Sequence, residues 1–366
     1  WDEVSFGYNA YSILKTGKDE FGKFMPVYFR SLDDYKLPVY MYLTAGSIKI
    51  FGYNDFAVRF PSAFLGVGTV VMLWFLVWEL FRDKKIAFLS ALFLAILPWH
   101  VQFSRMAAEA NVGLFFLTCG VTLFVYGIKS KWLLFLSVLA FGLTAYTYLS
   151  FRLMEIPLGV GLICLYWKKI ILLNRRWLFC LGLGVAVVGG LLVQDTLAQN
   201  IHIRFVGTSV FQASSAYDAF KRNEQEMFYD ATLKINLIRR FFHDNTFFTG
   251  ASIVVQGYLS HFSPAFLFFG YNERHHHTPF IGLLYLWMLP FIPIGGYAMW
   301  RSKNRVSASL VMLWLLLAPV PAAITWDIPH SIRVLGMTIP LMILVAWGVL
   351  KLKWVGGLTL GLIIGI

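Results

Sequence analysis

Residues 58–81 read VRFPSAFLGVGTVVMLWFLVWELF, and residues 82–85 follow directly with RDKK. A helix needs about 20 consecutive, mostly apolar residues to cross the hydrocarbon core of a bilayer. The stretch 58–81 is long enough to do so, and the basic residues that follow it are typical of a cytoplasmic loop. This part of the sequence therefore predicts a membrane-spanning helix that ends on the cytoplasmic side.

The composition of the whole chain has the same character. Of its 366 residues, 58% are hydrophobic and 14% are charged, whereas soluble globular proteins contain about 25% charged residues. This excludes a soluble domain, a disordered chain and a secreted disulfide scaffold, and it predicts an all-α polytopic membrane protein. The three cysteines all lie in apolar runs and give neither a disulfide framework nor a zinc-binding spacing.

Further apolar runs extend the prediction to ten spans. They are residues 58–81, 86–103, 110–128, 132–150, 153–167, 177–197, 280–300, 307–326, 333–350 and 354–366. Because residue 1 is Trp and the tenth run reaches the last residue, we expect a longer protein with at least one more span before this sequence. Residues 251–270 are also apolar, but a span there would reverse the charge pattern of the later loops. We interpret them as an amphipathic or re-entrant segment.

The loops between these runs alternate in charge. Five short connections carry 14 basic residues and one acid, which predicts that they are cytoplasmic. The other connections are then extracytoplasmic, and the protein belongs in the plasma membrane with its polar site outside. The formal charge of +12 reflects this orientation and contact with anionic lipid, so we predict no nucleic-acid partner.

This alternation divides the chain into four regions. Residues 1–57 form a first outer loop, residues 58–197 a bundle of six spans, residues 198–279 a long outer loop, and residues 280–366 a C-terminal bundle. Two short amphipathic helices are predicted in the first loop, one over residues 6–14 that ends at Gly17 and one over Pro38–Phe51. On the second, Val39, Tyr42, Leu43 and Ile50 are predicted to share the apolar face.

The first outer loop contains two groups of candidate catalytic or binding residues. Asp2 and Glu3 lie where a preceding span would emerge, and a carboxylate there can act as a general base towards a hydroxyl. The ordinary alternative is a solvated cap of the following helix. In the second group, Lys36 is a candidate phosphate-binding charge, with Asp33 or Asp34 orienting it or holding a metal. The alternative is a charged loop ended by a proline.

The second outer turn carries His100, Arg105 and Glu109. Ionisable groups at the membrane edge are costly to keep and are often functional. Arg105 is a candidate ligand of a phosphate group, and Glu109 is a candidate for a site that binds a sugar or its acceptor. The alternative is a salt bridge, because the two residues are four apart and would lie on one face of a helix.

The later outer segments carry the remaining candidates. His261, Glu273, Arg274 and His275 are assigned to the acceptor or sugar site. On a strand, His275 and His277 would share a face, so a divalent metal is possible there, with a hydrogen-bonded loop as the alternative.

Arg333 opens an apolar run and must find a partner or an anion. Asp327 is the simple partner, and a lipid phosphate is the other.

Several of these stretches, in this order and on one predicted side of the membrane, resemble the membrane-embedded GT-C glycosyltransferases. The nearest groups are the protein O-mannosyltransferase-like (family 39) enzymes and the aminoarabinose transferase. The resemblance covers nearly the whole chain, and each motif is loose by itself. The stretches are Asp2-Glu3, Lys36-Leu37-Pro38, residues 54–62, 258–264, 272–275, 282–285 and 329–333.

The resemblance implies a reaction and roles for some residues. Such enzymes transfer a sugar from a polyprenyl-phosphate carrier to an acceptor at the outer face. By resemblance, Asp2 corresponds to the acidic base, Lys36 to the lysine that contacts the phosphate, and Glu109 to the position near a second acidic residue. The aminoarabinose enzyme has a glutamate where this chain has Tyr35, so its metal site is absent here or moved to Asp33 or Asp34.

The expected function is therefore an inverting glycosyltransferase whose partners are a polyprenyl-phosphate sugar, the lipid bilayer and a glycan, lipid or protein acceptor. No cofactor is certain, and a divalent metal is possible. A transporter or lipid-linked-sugar flippase explains the spans and basic loops equally well, but it does not explain why the polar residues concentrate on one side. A non-catalytic assembly subunit is a third possibility.

Overall fold

The computed structural model describes residues 2–31, 34–197, 209, 246–269, 282–325 and 328–352. These residues are mostly helical, with one small antiparallel hairpin of strands β1 (Phe29–Ser31) and β2 (Asp34–Lys36). The N-terminal helices are α1 (Asp2–Thr16), α2 (Pro38–Phe51), α3 (Asp55–Phe81), α4 (Lys84–Ile96), α5 (Pro98–Arg105), α6 (Glu109–Gly127), α7 (Lys131–Ala145), α8 (Leu149–Ile170) and α9 (Arg175–Leu197). The later helices are α10 (Thr246–Ser260), α11 (Pro264–Phe268), α12 (Phe291–Trp300), α13 (Arg305–Leu317), α14 (Val320–Ala323) and α15 (Thr338–Leu352).

Five helical stretches among the described residues are long and apolar enough to cross a membrane. They are Asp55–Phe81, Glu109–Gly127, Leu149–Ile170, Arg305–Ala323 and Leu335–Leu352. Helices α4 and α5 make a sixth if they are taken as one span, bent by 56° at the residue before Pro98. The all-α polytopic class is confirmed, whereas the predicted number of ten spans is not.

Three of the predicted spans differ from the observed helices. In the predicted span 280–300, only Phe291–Trp300 is α-helical, and a short 3-10 turn precedes it. Pro290 explains this boundary, because proline cannot donate the backbone hydrogen bond that an earlier start would require. Helix α7 is only 15 residues long. Helix α8 is longer than predicted because it includes ionisable residues at its start. The predicted span 354–366 lies outside the described residues.

The predicted cytoplasmic loops meet at one end of the bundle. Glu79 in α3 accepts hydrogen bonds from Arg82 and, at 2.6 Å, from Lys129 of the α6–α7 turn. Asn304, which caps α13, donates to the carbonyl oxygen of Leu80 at 2.6 Å. Three basic loops that are far apart in the sequence therefore lie together, as a single inner surface requires.

Several predicted outer loops meet at the other end. The indole N–H of Trp99 donates to the Ser331 carbonyl at 3.2 Å, and the Ala107 amide donates to Glu3 at 2.7 Å. Arg59 and Glu79 mark the two ends of α3 and are 20 residues apart. At 1.5 Å per residue this is about 30 Å, the thickness of the hydrocarbon core.

The first outer loop contains the two predicted helices. Helix α1 ends at Gly17, whose positive φ of 71° favours glycine. The predicted apolar face of α2 is not the face that packs on the protein: Tyr40 and Met41 are fully buried, while Ile50 is 75% exposed. Because α2 is apolar on most sides, the sequence pattern does not select the face, and packing on α1 and α3 does.

Two hydrophobic clusters hold the described residues together. The larger one fills the helix bundle, and the smaller one joins α1, α2, the start of α3 and the α5–α6 region. In the smaller cluster the rings of Phe6 and Tyr40 lie 4.7 Å apart. This cluster seats the first outer loop on the bundle, so that its polar residues have defined positions relative to the spans.

The segment that was predicted not to span consists of two helices. Helix α10 has 15 residues and is separated from the five-residue helix α11 by a turn at residues 261–263. Ser263 caps α11 by accepting a hydrogen bond from the Phe266 amide at 3.3 Å. Neither helix has the length of a span, in agreement with an amphipathic or re-entrant segment.

Candidate active site

An ion pair between Asp2 and Lys36 forms the centre of the site. The Lys36 ammonium donates to Asp2 Oδ1 at 2.9 Å. The Lys36 side chain is only 7% exposed, whereas that of Asp2 is 68% exposed. The cation is therefore held inside the protein, and the carboxylate faces the surroundings, where a second molecule can reach it.

The hairpin and the first helix position Lys36. It is the last residue of β2, where it pairs with Phe29 of β1, and α2 begins two residues later with Pro38. Its ammonium lies 5.6 Å from the ring centre of Phe6 in α1, a distance at which an aromatic ring attracts a cation. The charge is therefore fixed from two sides in addition to its bond with Asp2.

Glu3, the neighbour of Asp2, has different partners. Arg59 donates to it twice, from Nε to Oε1 at 3.0 Å and from Nη2 to Oε2 at 2.7 Å. The Ala107 amide also donates to Oε1, at 2.7 Å. The hydrogen bond from Arg59 is the main reason why the pKa of Glu3 is lowered, and the Ala107 amide lowers it further.

Glu109 lies close to this group. It is the first residue of α6 and is 6% exposed. Tyr40 links it to the first loop, since burial raises the pKa of the Tyr40 phenol and the charges of Glu3 and Glu109 raise it further. The Tyr40 hydroxyl donates to the Val58 carbonyl at 2.9 Å. The structure thus brings four predicted residues, Asp2, Glu3, Lys36 and Glu109, into one region.

An apolar recess lies beside the start of α2. It has a volume of about 450 Å³ and lies between the first outer loop, α2, α6 and α7. One of its lining residues, Pro38, follows Lys36 by two residues in the chain. Its lining residues are Pro26, Val27, Pro38, Val39, Tyr42, Leu43, Phe116 and Leu143.

The alternative of a salt bridge between Arg105 and Glu109 on one helical face does not agree with the structure. Helix α5 ends at Arg105 and α6 begins at Glu109, with extended backbone at Met106 and Ala108 between them. The spacing of four residues therefore does not bring the side chains onto one helical face. Arg105 is exposed, two residues before the Ala107 amide that binds Glu3, so it stays a candidate for anion binding at the edge of the site.

Arg333 and His261 lie in a second region. Arg333 donates to the Thr325 hydroxyl at 2.8 Å. His261 is fully buried and accepts from the His330 amide through Nε2 at 3.2 Å, so its Nδ1 carries the proton and donates to the Gly257 carbonyl at 2.7 Å. Both ring nitrogens of His261 are thus hydrogen-bonded to backbone groups of the protein.

Helix α5 separates the two regions. The Trp99–Ser331 bond lies at its start and the Ala107–Glu3 bond just after its end. Eight residues of helix correspond to about 12 Å. The binding of the donor phosphate by Arg333 stays a prediction.

The other candidates lie outside the described residues or lack a described side chain. Asp33 and Glu273, Arg274, His275 and His277 are outside the described ranges, as is Asp327. Asp34 lies in β2, but its side chain is not described. Within the described ranges there is no group of three or more His, Cys, Asp or Glu residues that would suit a metal ion. A divalent metal thus stays a prediction.

The structure also shows ionisable residues that the sequence did not single out. Arg59 was quoted only as part of a motif, although it holds Glu3. Arg152 and Glu155 in α8 are 4% and 6% exposed. Arg152 donates from Nε to the Ala145 carbonyl at 3.0 Å and lies 5.3 Å from the Tyr146 ring. The available signal was Glu155, a charged residue inside the predicted span 153–167, with Arg152 directly before that span.

Known proteins resemble the chain in sequence. The family described as dolichyl-phosphate-mannose-protein mannosyltransferase matches residues 36–193, which is less than half of the chain and begins at Lys36. An uncharacterized protein of Aquifex aeolicus (strain VF5) is 30% identical over 148 residues, which are 40% of this chain and 29% of that protein.

Solved structures resemble it in fold. ArnT from Cupriavidus metallidurans bound to undecaprenyl phosphate has a TM-score of 0.58 at 14% identity, covering 96% of this chain and 56% of that one. An oligosaccharyltransferase of Archaeoglobus fulgidus, tethered with an acceptor peptide, has a TM-score of 0.51 at 13% identity, covering 96% and 46%. The chain thus spans about half the length of these two proteins. These findings confirm the predicted resemblance: the chain is an integral membrane protein with the fold of the GT-C glycosyltransferase superfamily.

Proposed function

We propose that this protein transfers a sugar from a polyprenyl-phosphate carrier to an acceptor hydroxyl at the outer face of the plasma membrane, with inversion at the anomeric carbon. The observation that carries the proposal is the Asp2–Lys36 pair, in which a buried cation and an exposed carboxylate lie 2.9 Å apart. One group suits an anionic leaving group and the other an incoming hydroxyl.

The reaction requires each of these charges. The acceptor oxygen forms a bond to the anomeric carbon while the bond between that carbon and the phosphate oxygen breaks. The electron pair of the broken bond stays on the phosphate, where Lys36 stabilises the additional negative charge. Asp2 takes the proton of the acceptor hydroxyl as it attacks. A single displacement of this kind inverts the configuration of the carbon.

The apolar recess supports a lipid-linked donor. Its lining includes Pro38, which follows Lys36 by two residues in the chain, and consists of apolar and aromatic side chains, which suit part of a prenyl chain when the phosphate lies at Lys36. The matched family is described by a dolichyl-phosphate-mannose donor, and ArnT was solved with undecaprenyl phosphate. Both are lipids in which a prenyl chain carries a phosphate.

The test is a transfer assay on the purified full-length protein. It is incubated in detergent with a panel of radiolabelled polyprenyl-phosphate sugars and crude membrane acceptor. The variants are Asp2→Asn and, as a matched control, Asp55→Asn. Asn accepts the hydrogen bond from Lys36 but does not take up a proton, so the Asp2 variant is expected to fold, bind donor and lose transfer. Asp55, an exposed acid at the start of α3, is expected to be dispensable.

Two outcomes contradict the proposal in different ways. Near-normal turnover by Asp2→Asn would refute Asp2 as the base while keeping the transferase. No sugar transfer from any donor by the unaltered protein would refute the transferase itself, and a flippase assay with the same donors would then be the next measurement.

A further inference from the structure

The two acids at the start of α1 differ in their surroundings. Asp2 is 68% exposed and is bonded to a lysine. Glu3 receives three hydrogen bonds at 2.7–3.0 Å, two from the guanidinium of Arg59 and one from the Ala107 amide. A carboxylate with so many donors is held in its charged form and is a weak base. The second acid is thus poorly suited to remove a proton.

The two partners of Glu3 come from separate parts of the chain. Arg59 lies in the second turn of α3, 56 residues away, and Ala107 lies in the break between α5 and α6, 104 residues away. The contact between the Arg59 guanidinium and the Glu3 carboxylate is bidentate, which fixes the relative orientation of the two groups as well as their distance. Through Glu3, the first turn of α1 is joined to a spanning helix and to the start of α6.

These contacts act on residues of the proposed reaction. Asp2 is the neighbour of Glu3, and Glu109 follows Ala107 by two residues. If α1 shifted, Asp2 would move relative to Lys36, which is held independently by the hairpin and Phe6. Displacement of a reacting group by about 1 Å can lower a rate by about 100-fold.

We propose that Glu3 and Arg59 are a positioning pair that holds Asp2 against Lys36, and that Glu3 does not itself react. This rests on the proposed function and differs from the sequence-based prediction that Glu3 is catalytic. Arg59 thereby becomes a functional residue although it does not contact the substrates.

The first measurement is kinetic. Glu3→Gln keeps an oxygen that can accept from the Ala107 amide and from one guanidinium nitrogen of Arg59, so we expect kcat to fall by about tenfold. Arg59→Gln removes both hydrogen bonds of the guanidinium and is expected to lower kcat by about 100-fold. The donor KM should change less than threefold in both, because Lys36 is untouched. Arg30→Gln is the matched control, since Arg30 is an exposed outer arginine stacked 5.0 Å from the Phe21 ring.

A pH profile separates positioning from proton transfer. With Asp2 as the base, Glu3→Gln should keep the fall of kcat/KM at acidic pH. The charge exchange Glu3→Arg with Arg59→Glu should recover part of the activity lost by either single change. Complete loss of transfer by Glu3→Gln in a folded protein that still binds donor, equal to the loss in Asp2→Asn, would overturn the proposal.

A second measurement does not depend on activity. Hydrogen exchange at the Ala107 amide should be slow in the unaltered protein and faster in Glu3→Ala, with no change in Asp55→Asn. If exchange at Ala107 is unchanged in Glu3→Ala, the pairing does not exist and the proposal fails. If exchange changes as expected but the unaltered protein transfers no sugar, the pairing stands and only the proposed reaction is refuted.

Discussion

At the scale of single residues, the chemistry depends on a lysine that is buried and an aspartate that is not. The Lys36 ammonium has Asp2 on one side and the Phe6 ring on another. A buried cation that loses its partner is strongly destabilising, because its desolvation is no longer compensated. This is why the informative substitution at position 2 is Asn, which keeps a hydrogen-bond acceptor in place.

The complementary prediction concerns Lys36. Lys36→Met keeps the length and apolar stem of the side chain and removes the charge, so the protein is expected to fold while the donor KM rises and kcat/KM falls by about 100-fold to 1,000-fold. The measurement is initial rate against donor concentration, together with the melting temperature. Lys23→Met, at an exposed lysine of the same loop, is the matched control. An unchanged response to the donor would remove Lys36 from the phosphate site.

The sequence predicted some of these residues but did not predict that Asp2 and Glu3 have different roles. Asp2, Glu3 and Lys36 were identified from their place beside the membrane and from resemblance. The partners of Glu3 are Arg59 and Ala107, which are 56 and 104 residues away, and no local sequence pattern relates positions so far apart. Glu109 was identified, and the alternative that it pairs with Arg105 on one helix is ruled out by the helix break between them.

At the scale of elements, the turn between α10 and α11 depends on a neutral histidine. His261 joins Gly257 of α10 to the His330 amide. Burial lowers the pKa of His261 from 6.5 to about 4, and the charge of Arg333 lowers it further. The unfolded chain therefore binds a proton near pH 6.5, while the folded chain resists it until about pH 4.

The consequence is a stability that falls on acidification. Between about pH 6.5 and about pH 4 the unfolded state holds the extra proton, so this group lowers the free energy of unfolding as the pH drops, by about 3 kcal/mol in total. His261→Gln can make both hydrogen bonds without titrating. We expect its melting temperature to depend less on pH in this window than that of the unaltered protein. Equal slopes would contradict a buried neutral His261.

A second element-scale prediction concerns the packing of α12 on α15. A methyl group added at Gly295 would overlap the backbone carbonyl of Leu344, while one added at the adjacent Gly296 would meet nothing within 4 Å. Small residues allow such close approach of helices in membranes. Gly295→Ala should lower stability by about 1–3 kcal/mol, measured as a lower melting temperature. Gly296→Ala is the control and should be neutral; equal melting temperatures for the two variants would contradict this packing.

Charge and apolar length predicted the elements unevenly. Helix α3 was predicted closely, because its apolar run is uninterrupted and ends in basic residues. The run 280–300 is equally apolar, but Pro290 and close backbone contact shorten its helix to ten residues. Helix α8 begins earlier than the predicted start at residue 153, and Arg152, which was assigned to an outer turn, is buried inside it. Hydropathy alone does not distinguish a charged residue in a loop from a charged residue that is buried within a helix bundle.

At the scale of the whole molecule, the two polar ends predict which loops are accessible from each side. Lys18 is exposed in the first outer loop, and Lys84 is exposed at the α3–α4 turn. In a protein whose native cysteines are replaced by serine, a membrane-impermeant thiol reagent is expected to label Lys18→Cys in intact cells. It should label Lys84→Cys only after the membrane is opened, because basic loops stay inside.

The reverse labelling pattern would place the Asp2–Lys36 pair inside and would contradict the outer-face reaction. Labelling of both positions in intact cells would show that the reagent crosses the membrane and would require a larger one. A cysteine-free protein serves as the control for background labelling.

The Glu3–Ala107 bond also has a consequence for the order in which the protein is made. Glu3 and Ala107 are separated by 104 residues, so the first outer loop is synthesised and translocated well before its partner in the α5–α6 break exists. Until α3 and α5 have been inserted, Glu3 lacks both Arg59 and Ala107. The contacts that seat the first turn of α1 are therefore completed late in membrane insertion.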